Sequence, residues 1–192
     1  MMAEEEGADE ISDACQALSK IFRYSINRGQ EFVHVQDEIV HIENYMLIQK
    51  LRFGSKLEVR YDIQNECREL YIVKLLIQPM VENAVVHGME NVLDKCYVTI
   101  RVYRKEDCLY AEVEDNGTGI APGQLMELNE KLARSAEQKM VHEVDYVKNH
   151  RSIGLENTNA RIKLYFGQEY GITITSEEGT GTKVCIKLPV RT

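Results

Sequence analysis

Apolar residues recur at helical spacing twice before residue 55. Leu18, Ile21, Phe22 and Ile26 place one apolar side on a helix over 10–27, which Gly29 ends. Ile39, Ile42, Tyr45, Met46 and Ile48 do the same over 36–52, with Gly54 beyond. Between them, Val33-His34-Val35 reads as a short extended segment. Two amphipathic helices with a short connection predict a helical hairpin or a partner-binding segment. Neither carries enough apolar surface to stand alone.

From residue 56 the period becomes two. Leu57, Val59, Tyr61 and Ile63 share one face of a predicted strand over 56–63. Residues 69–87 return to helical spacing through Leu70, Val73, Ile77, Val81 and Ala84, with Pro79 expected to kink that helix or begin a second one. A hairpin follows: Val98, Ile100 and Val102 alternate with polar residues, as do Leu109, Ala111 and Val113 after the Lys105–Asp107 turn. Residues 121–150 are polar apart from an amphipathic piece around Leu125, Leu128 and Leu132, and most of them read as a mobile loop. A helix over 155–166 (Leu155, Ile162, Phe166) and a hairpin close the chain. That last hairpin pairs Ile172 and Ile174 with Val184, Ile186 and Leu188 across a Glu177–Gly181 turn. Strand pairs joined by short turns predict an antiparallel or mixed sheet with helices on one face, hence an α+β fold and not a doubly wound parallel sheet.

Four polar clusters interrupt these patterns at element ends. They are Val81–Gly88, Asp115–Ile120, Ser152–Asn157 and Glu178–Thr182. Asp115-Asn116-Gly117-Thr118-Gly119 follows a strand. A carboxylate there can accept a hydrogen bond from an exocyclic amine such as adenine N6, and glycines let backbone approach a flat ring where a Cβ would intrude. On its own the stretch reads more simply as an Asx-Gly turn. The other clusters shift that balance. Gly154, read as opening a helix, would present backbone N–H groups to a phosphate. Asn83 offers a neutral oxygen to a Mg²⁺ already held by phosphates. Gly179 and Gly181 fit a phosphate-side turn and an ordinary hairpin turn about equally. Neither a P-loop nor a Rossmann glycine pattern occurs.

Composition narrows the setting. At 192 residues the chain is sized for one domain plus an appendage and needs no disulfide or metal to fold. The net charge of −8 argues against a large nucleic-acid footprint, and Glu4, Glu5, Glu6, Asp9 and Glu10 concentrate five of those charges in the first ten residues. No apolar run approaches the ~20 residues of a membrane span, and the N-terminus lacks signal-peptide character. The five cysteines are odd in number and contain no C-x-x-C, which reads as free thiols in a reducing compartment.

The ordered set of motifs carries a resemblance. L-S-K-I-F-R-Y-S-I (18–26), H-I-E-N-Y-M-L-I-Q-K-L-R-F (41–53), L-I-Q-P-M-V-E-N-A-V-V-H-G (76–88), E-D-N-G-T-G-I (114–120), I-G-L-E-N-T-N-A-R-I-K-L-Y-F-G (153–167) and G-T-G-T-K-V-C-I-K-L-P (179–189) run in one order. Together they resemble the catalytic ATP-binding region of LytS/YesM-type sensor histidine kinases, within the GHKL (Bergerat-fold) ATPase superfamily. The resemblance implies a two-layer α/β sandwich whose mixed, mostly antiparallel sheet is covered by helices on one face. It divides the chain into an acidic tail (1–9), a helical remnant of the dimerisation and phosphoacceptor region (10–54), and an ATP-binding domain (55–192) with a lid at about 121–150.

Site roles follow from the same resemblance. Asn83 would ligate Mg²⁺, and Asp115 would read adenine in a pocket shaped by Gly117, Gly119 and Ile120. Gly154, Leu155, Gly179, Gly181 and Thr182 would lie beside the phosphates. His87 joins the ATP-binding set; it, Asn157 and Arg161 also fit a role in helix packing. The implied cofactors are ATP and Mg²⁺. The implied partners are a second copy in the full-length protein and a cognate response regulator, with no nucleic acid and with membrane contact only through upstream segments, so a cytoplasmic placement is expected.

There are departures too. No H-F-L-F-N-like phosphoacceptor motif is present, and His34, His41, His87, His142 and His150 sit in other contexts, so the acceptor histidine is expected upstream. Pro79 stands where many relatives carry Glu or Asn, and Glu82 lies about 100° away on a helix. Val86 replaces a common Lys, and Ser152 the first glycine of its box. Two alternatives therefore stay open: a nucleotide-binding signalling module with little kinase activity, and another GHKL ATPase or anti-sigma kinase.

Overall fold

The computed structural model describes residues 2–27, 29–89, 95–134 and 150–192. Among these residues, five α-helices and seven strands follow in the order α1 (Met2–Ile26), β1 (Phe32–His34), α2 (Val35–Phe53), β2 (Leu57–Ile63), β3 (Tyr71–Val73), α3 (Gln78–Met89), β4 (Cys96–Lys105), β5 (Cys108–Asp115), α4 (Pro122–Arg134), α5 (His150–Phe166), β6 (Gly171–Glu177) and β7 (Gly181–Pro189). The main sheet has the order β2-β4-β5-β7-β6, with β2 parallel to β4 and every other pair antiparallel. It is the expected mixed, mostly antiparallel sheet of an α+β fold.

Alternation sets the two faces of the sheet. On β4, Cys96, Val98, Ile100 and Val102 are buried, while Tyr97, Thr99, Arg101 and Tyr103 face outward. The buried face is covered by α3, α4 and α5, and Ile100, Ile186, Ile162 and Val81 meet in the core between them. The outer face is tied by charge: Arg101 pairs with Glu114 and Lys183 with Glu112.

Residues 69–77 differ from the helix expected there. Tyr71–Val73 instead pairs antiparallel with Phe32–His34, and α3 starts at Gln78. Pro79 thus begins a helix in place of kinking one, at a position in the first turn where its missing N–H costs nothing. Leu75, between strand and helix, has φ +60°, a conformation that costs a bulky residue on the order of 1–3 kcal/mol. The polar stretch after β5 also differs. Its amphipathic piece extends into the thirteen-residue helix α4, while the rest of the expected lid, 135–149 with His142, lies outside the described residues.

α1 and α2 pack on each other and meet the rest of the fold through a buried polar cluster. Glu38 on α2 is 0% exposed; Tyr24 Oη and the backbone N–H groups of Leu75 (2.7 Å) and Ile77 (3.3 Å) donate to its carboxylate. Burial pushes that carboxyl up from its ordinary range, and these hydrogen bonds pull it partway back. His41 stacks on Tyr24 with ring centroids 4.5 Å apart. Burial, aided by the Lys74 charge, holds its pKa below the ordinary imidazole value.

A pH effect follows. The unfolded chain binds the His41 proton more readily than the folded one, so stability falls as pH drops through the unfolded value of about 6.5. Between about pH 7.5 and pH 5.5 the wild-type melting temperature is expected to fall more than that of His41→Phe, which keeps the stacked ring. Parallel melting curves against pH would contradict the assignment.

Candidate functional site

The site is built where β5 runs out beneath α3. Asp115 ends β5, and its Oδ1 accepts the Gly117 N–H at 2.8 Å, which turns the chain off the sheet. Asn116 fixes the other side of this loop: its Oδ1 accepts from Tyr97 N and its Nδ2 donates to the Lys95 carbonyl. Burial, together with the nearby Asp115 charge, pushes the Cys96 thiol up to about 11, so it stays neutral beneath the loop.

The 116–120 loop is then bonded to the β6–β7 turn. Gly179 N donates to Thr118 O at 2.8 Å, and Ile120 N donates to Ser176 Oγ at 2.9 Å. Ser176 Oγ also donates to Gly181 O and lies 3.0 Å from Thr182 Oγ1. One hydroxyl therefore joins the end of the loop to both sides of the hairpin. Ser176→Ala leaves the Ile120 N–H without this acceptor, a loss of about 1–3 kcal/mol. Urea unfolding should show a lower midpoint; an unchanged midpoint would mean the hydroxyl is dispensable.

Above the loop, Met80, Asn83, Ala84 and His87 follow at i, i+3, i+4 and i+7, which puts all four on one face of α3. They line a cleft of about 520 Å³, mouth included, together with Val113, Asp115, Thr118, Gly119, Ile120, Leu128, Leu155, Ile174, Thr182 and Val184. The walls are mostly aliphatic with a few polar groups, the usual make-up of a small-ligand pocket. Asp115 brings a carboxylate acceptor to these aliphatic walls. Among the described residues no three His, Cys, Asp or Glu side chains gather as a metal site. Asn83 offers the cleft a neutral side-chain oxygen, a donor type that a hard cation accepts.

Of the eleven residues singled out in the sequence, Asn83, His87, Asp115, Gly119, Ile120, Leu155 and Thr182 line this cleft, and Gly117, Gly154, Gly179 and Gly181 do not. The structure also gives the glycines reasons of their own. A Cβ on Gly117 would lie 2.7 Å from Gly88 Cα, and one on Gly119 would overlap the Glu177 carbonyl. At Gly181 it would overlap the carbonyl of Asp115. Each absence lets two protein backbones meet. Gly154 does not open a helix. α5 starts at His150, so Gly154 lies past the first four N–H groups, the ones a helix leaves without an internal acceptor. Val86 is half exposed and does not line the cleft, and the Ser152 side chain lies outside the described residues.

Sequence reasoning missed Met80, Val113 and Ile174, and it missed Ser176. Two of these had a signal. Met80 shares the helical face of Asn83 and His87, and Val113 shares the strand face of Asp115.

Comparison with known proteins identifies the family and the fold. Residues 71–192 match the family model of histidine kinase-, DNA gyrase B- and HSP90-like ATPases, and residues 1–57 match a histidine kinase model. The sensor histidine kinase YesM of Bacillus subtilis is 32% identical over 95% of this chain, and BtsS of Escherichia coli is 31% identical over 96%. The chain spans 28% of the length of each of these relatives. Among solved structures, the catalytic domain of histidine kinase ThkA aligns with a TM-score of 0.58 at 16% identity, covering 85% of this chain and all of that one. The histidine kinase domain of the blue-light activated kinase from Erythrobacter litoralis aligns at 0.55 and 16%, over 98% and 83%.

Proposed function

Because the chain belongs to the family of histidine kinase-, DNA gyrase B- and HSP90-like ATPases, we propose that it is the ATP-binding catalytic region of a two-component sensor histidine kinase. The reaction is transfer of the ATP γ-phosphoryl group to a histidine outside this chain. One observation carries the reading. Four clusters separated by up to a hundred residues in sequence, at 81–88, 115–120, 152–157 and 178–182, each send at least one residue to the same cleft.

The roles divide by chemistry. Asp115 accepts from the exocyclic amine of adenine, while Met80, Val113 and Ile174 hold the ring's faces. Asn83 gives its side-chain oxygen to Mg²⁺, which neutralises charge on the phosphates when bound. His87 and Thr182 lie nearer the phosphate side, with Leu155 walling the cleft. Phosphoryl transfer asks for little covalent work by the protein, so positioning and charge neutralisation suffice.

His34, His41 and His87 fit poorly as acceptors. His41 is buried, His34 bonds the Glu69 carbonyl at the start of α2, and His87 faces the cleft. The helical pair supports a homodimer in the full-length protein. On α1, Ile11, Leu18, Phe22 and Ile26 form an exposed apolar stripe, and Val40, Leu47 and Leu51 form another on α2. A response regulator would receive the phosphoryl group from the partner histidine. Among the described residues no helix is long and apolar enough to cross a membrane. The kinase reading itself, with ATP as phosphoryl donor, implies a cytoplasmic region.

Titration calorimetry with Mg·ATP, followed by transfer to a separately supplied H-F-L-F-N-type phosphoacceptor helix, tests the reading. Saturable binding and an acid-labile label on the helix are expected. Binding without transfer would favour a nucleotide-binding module, and an acid-stable label would favour a serine-directed kinase.

A further inference from the structure

The buried cluster beneath the helical pair reaches the cleft through a single turn. Residues 74–77 connect β3 to α3, and three parts of the fold hold them. From α2, the Glu38 carboxylate accepts the N–H groups of Leu75 and Ile77. From α5, Arg161 donates to the Lys74 carbonyl at 2.7 Å and the Leu75 carbonyl at 3.5 Å. From the segment after α1, the Asn27 carbonyl accepts from Lys74 Nζ at 2.7 Å, and Lys74 N donates to Glu31 O.

Two N–H groups of one turn converge on this carboxylate, much as in an anion nest, and that fixed partner helps hold a leucine at φ +60°. The turn's last residue precedes Gln78, the first of α3. A helix is stiff, so a change of entry angle there moves Met80, Asn83, Ala84 and His87 together. Tyr24 completes the link: its hydroxyl donates to Glu38 while its ring lies 4.7 Å from Lys74 Nζ. The carboxylate is thus shared by α1, α2 and the start of the helix that carries Asn83.

We propose that Glu38 is a positioning residue for the nucleotide cleft, coupling the packing of α1 on α2 to the placement of α3 through the Lys74–Gln78 turn. The inference rests on the nucleotide-binding reading above. A displacement of α1 that withdraws the Tyr24 hydroxyl leaves a buried carboxylate less satisfied and loosens its hold on the turn. Linkage makes the effect reciprocal: nucleotide that steadies α3 also steadies α1 on α2.

Two variants test this. Glu38→Gln keeps the shape but turns an acceptor into a donor facing backbone N–H groups. Tyr24→Phe keeps the stacked ring and removes only the hydroxyl, so it carries the test if the first variant fails to fold. Ile100→Val, a core change in β4, serves as control for lost stability alone. In calorimetry with Mg·ADP, Glu38→Gln is expected to bind about tenfold more weakly, within the usual range of coupling, and Tyr24→Phe about threefold, with the control unchanged. Hydrogen exchange gives a readout that simple destabilisation does not produce. In the wild type Mg·ADP should slow exchange in 22–26 and 74–78 as well as around the cleft; in both variants the slowing should be confined to the cleft.

Wild-type affinity and wild-type protection of 22–26 in the folded variants would overturn the coupling and leave the nucleotide reading intact. A wild-type chain that binds no Mg·ADP would overturn the nucleotide reading, and the coupling with it.

Discussion

Asp115→Asn is expected to weaken Mg·ATP binding about 10- to 100-fold while the fold persists. The carboxylate has two tasks at the end of β5. One oxygen accepts the Gly117 N–H and shapes the turn; the proposed task of the other is to accept from adenine's exocyclic amine. An asparagine can keep the first with its carbonyl oxygen, but it then presents an NH₂ to the amine, donor against donor. Rotating the amide restores an acceptor to the cleft and puts the donor against Gly117 instead. Hydrogen bonds to charged groups contribute about 1.5–3 kcal/mol, which sets the expected loss. Calorimetry reads the affinity, and circular dichroism with a melting curve reads the fold. A folded variant with wild-type affinity would remove Asp115 from adenine recognition and leave the cleft's apolar walls as the base-binding element.

Asp115 was legible in the sequence because a strand with clean alternation delivers it. On β5, Leu109, Ala111 and Val113 face the core and alternate with polar residues, so the end of the hairpin and the loop beyond it follow from the period. The segment at 69–77 gave no such guidance. Leu70, Ile72, Val73, Leu76 and Ile77 are all buried, and a run surrounded by core has no polar side to reveal whether its period is 2 or 3.6. Its actual path depends on Glu38, 37 residues earlier, whose carboxylate holds Leu75 in a left-handed conformation. Contacts of that range are invisible to local spacing. The parallel pairing of β2 with β4 is hidden for the same reason, since no short turn joins them. The start of α5 was misplaced because Gly154 looked like a helix opening, whereas the helix begins among polar residues with no apolar rhythm.

Gly119→Ala is expected to be among the most damaging single methyl additions, beside Gly181→Ala, whose Cβ would likewise overlap a backbone carbonyl. Gly119 has φ +66°, and the position of its missing Cβ overlaps the carbonyl of Glu177 and lies 3.1 Å from Glu178 Cα. The obstacle is backbone in the turn between β6 and β7, which cannot swing aside as a flexible side chain would. That turn is bonded to the loop at Gly179–Thr118 and, through Ser176, at Ile120. Relieving the overlap means separating two segments that hold each other, and both contribute residues to the cleft. Left-handed strain costs an alanine on the order of 1–3 kcal/mol and overpacking a similar amount. Together they predict a melting temperature lower by on the order of 10 °C. Mg·ATP affinity should fall as well, because Thr118, Ile120 and Thr182 shift with the two loops. Gly179→Ala separates the two sources of cost: it too carries a positive φ, +81°, but its Cβ meets nothing within 4 Å. If melting curves showed the two variants equally stable, conformational strain alone would account for the glycines, and the close approach of loop and hairpin would not be what positions this wall of the cleft.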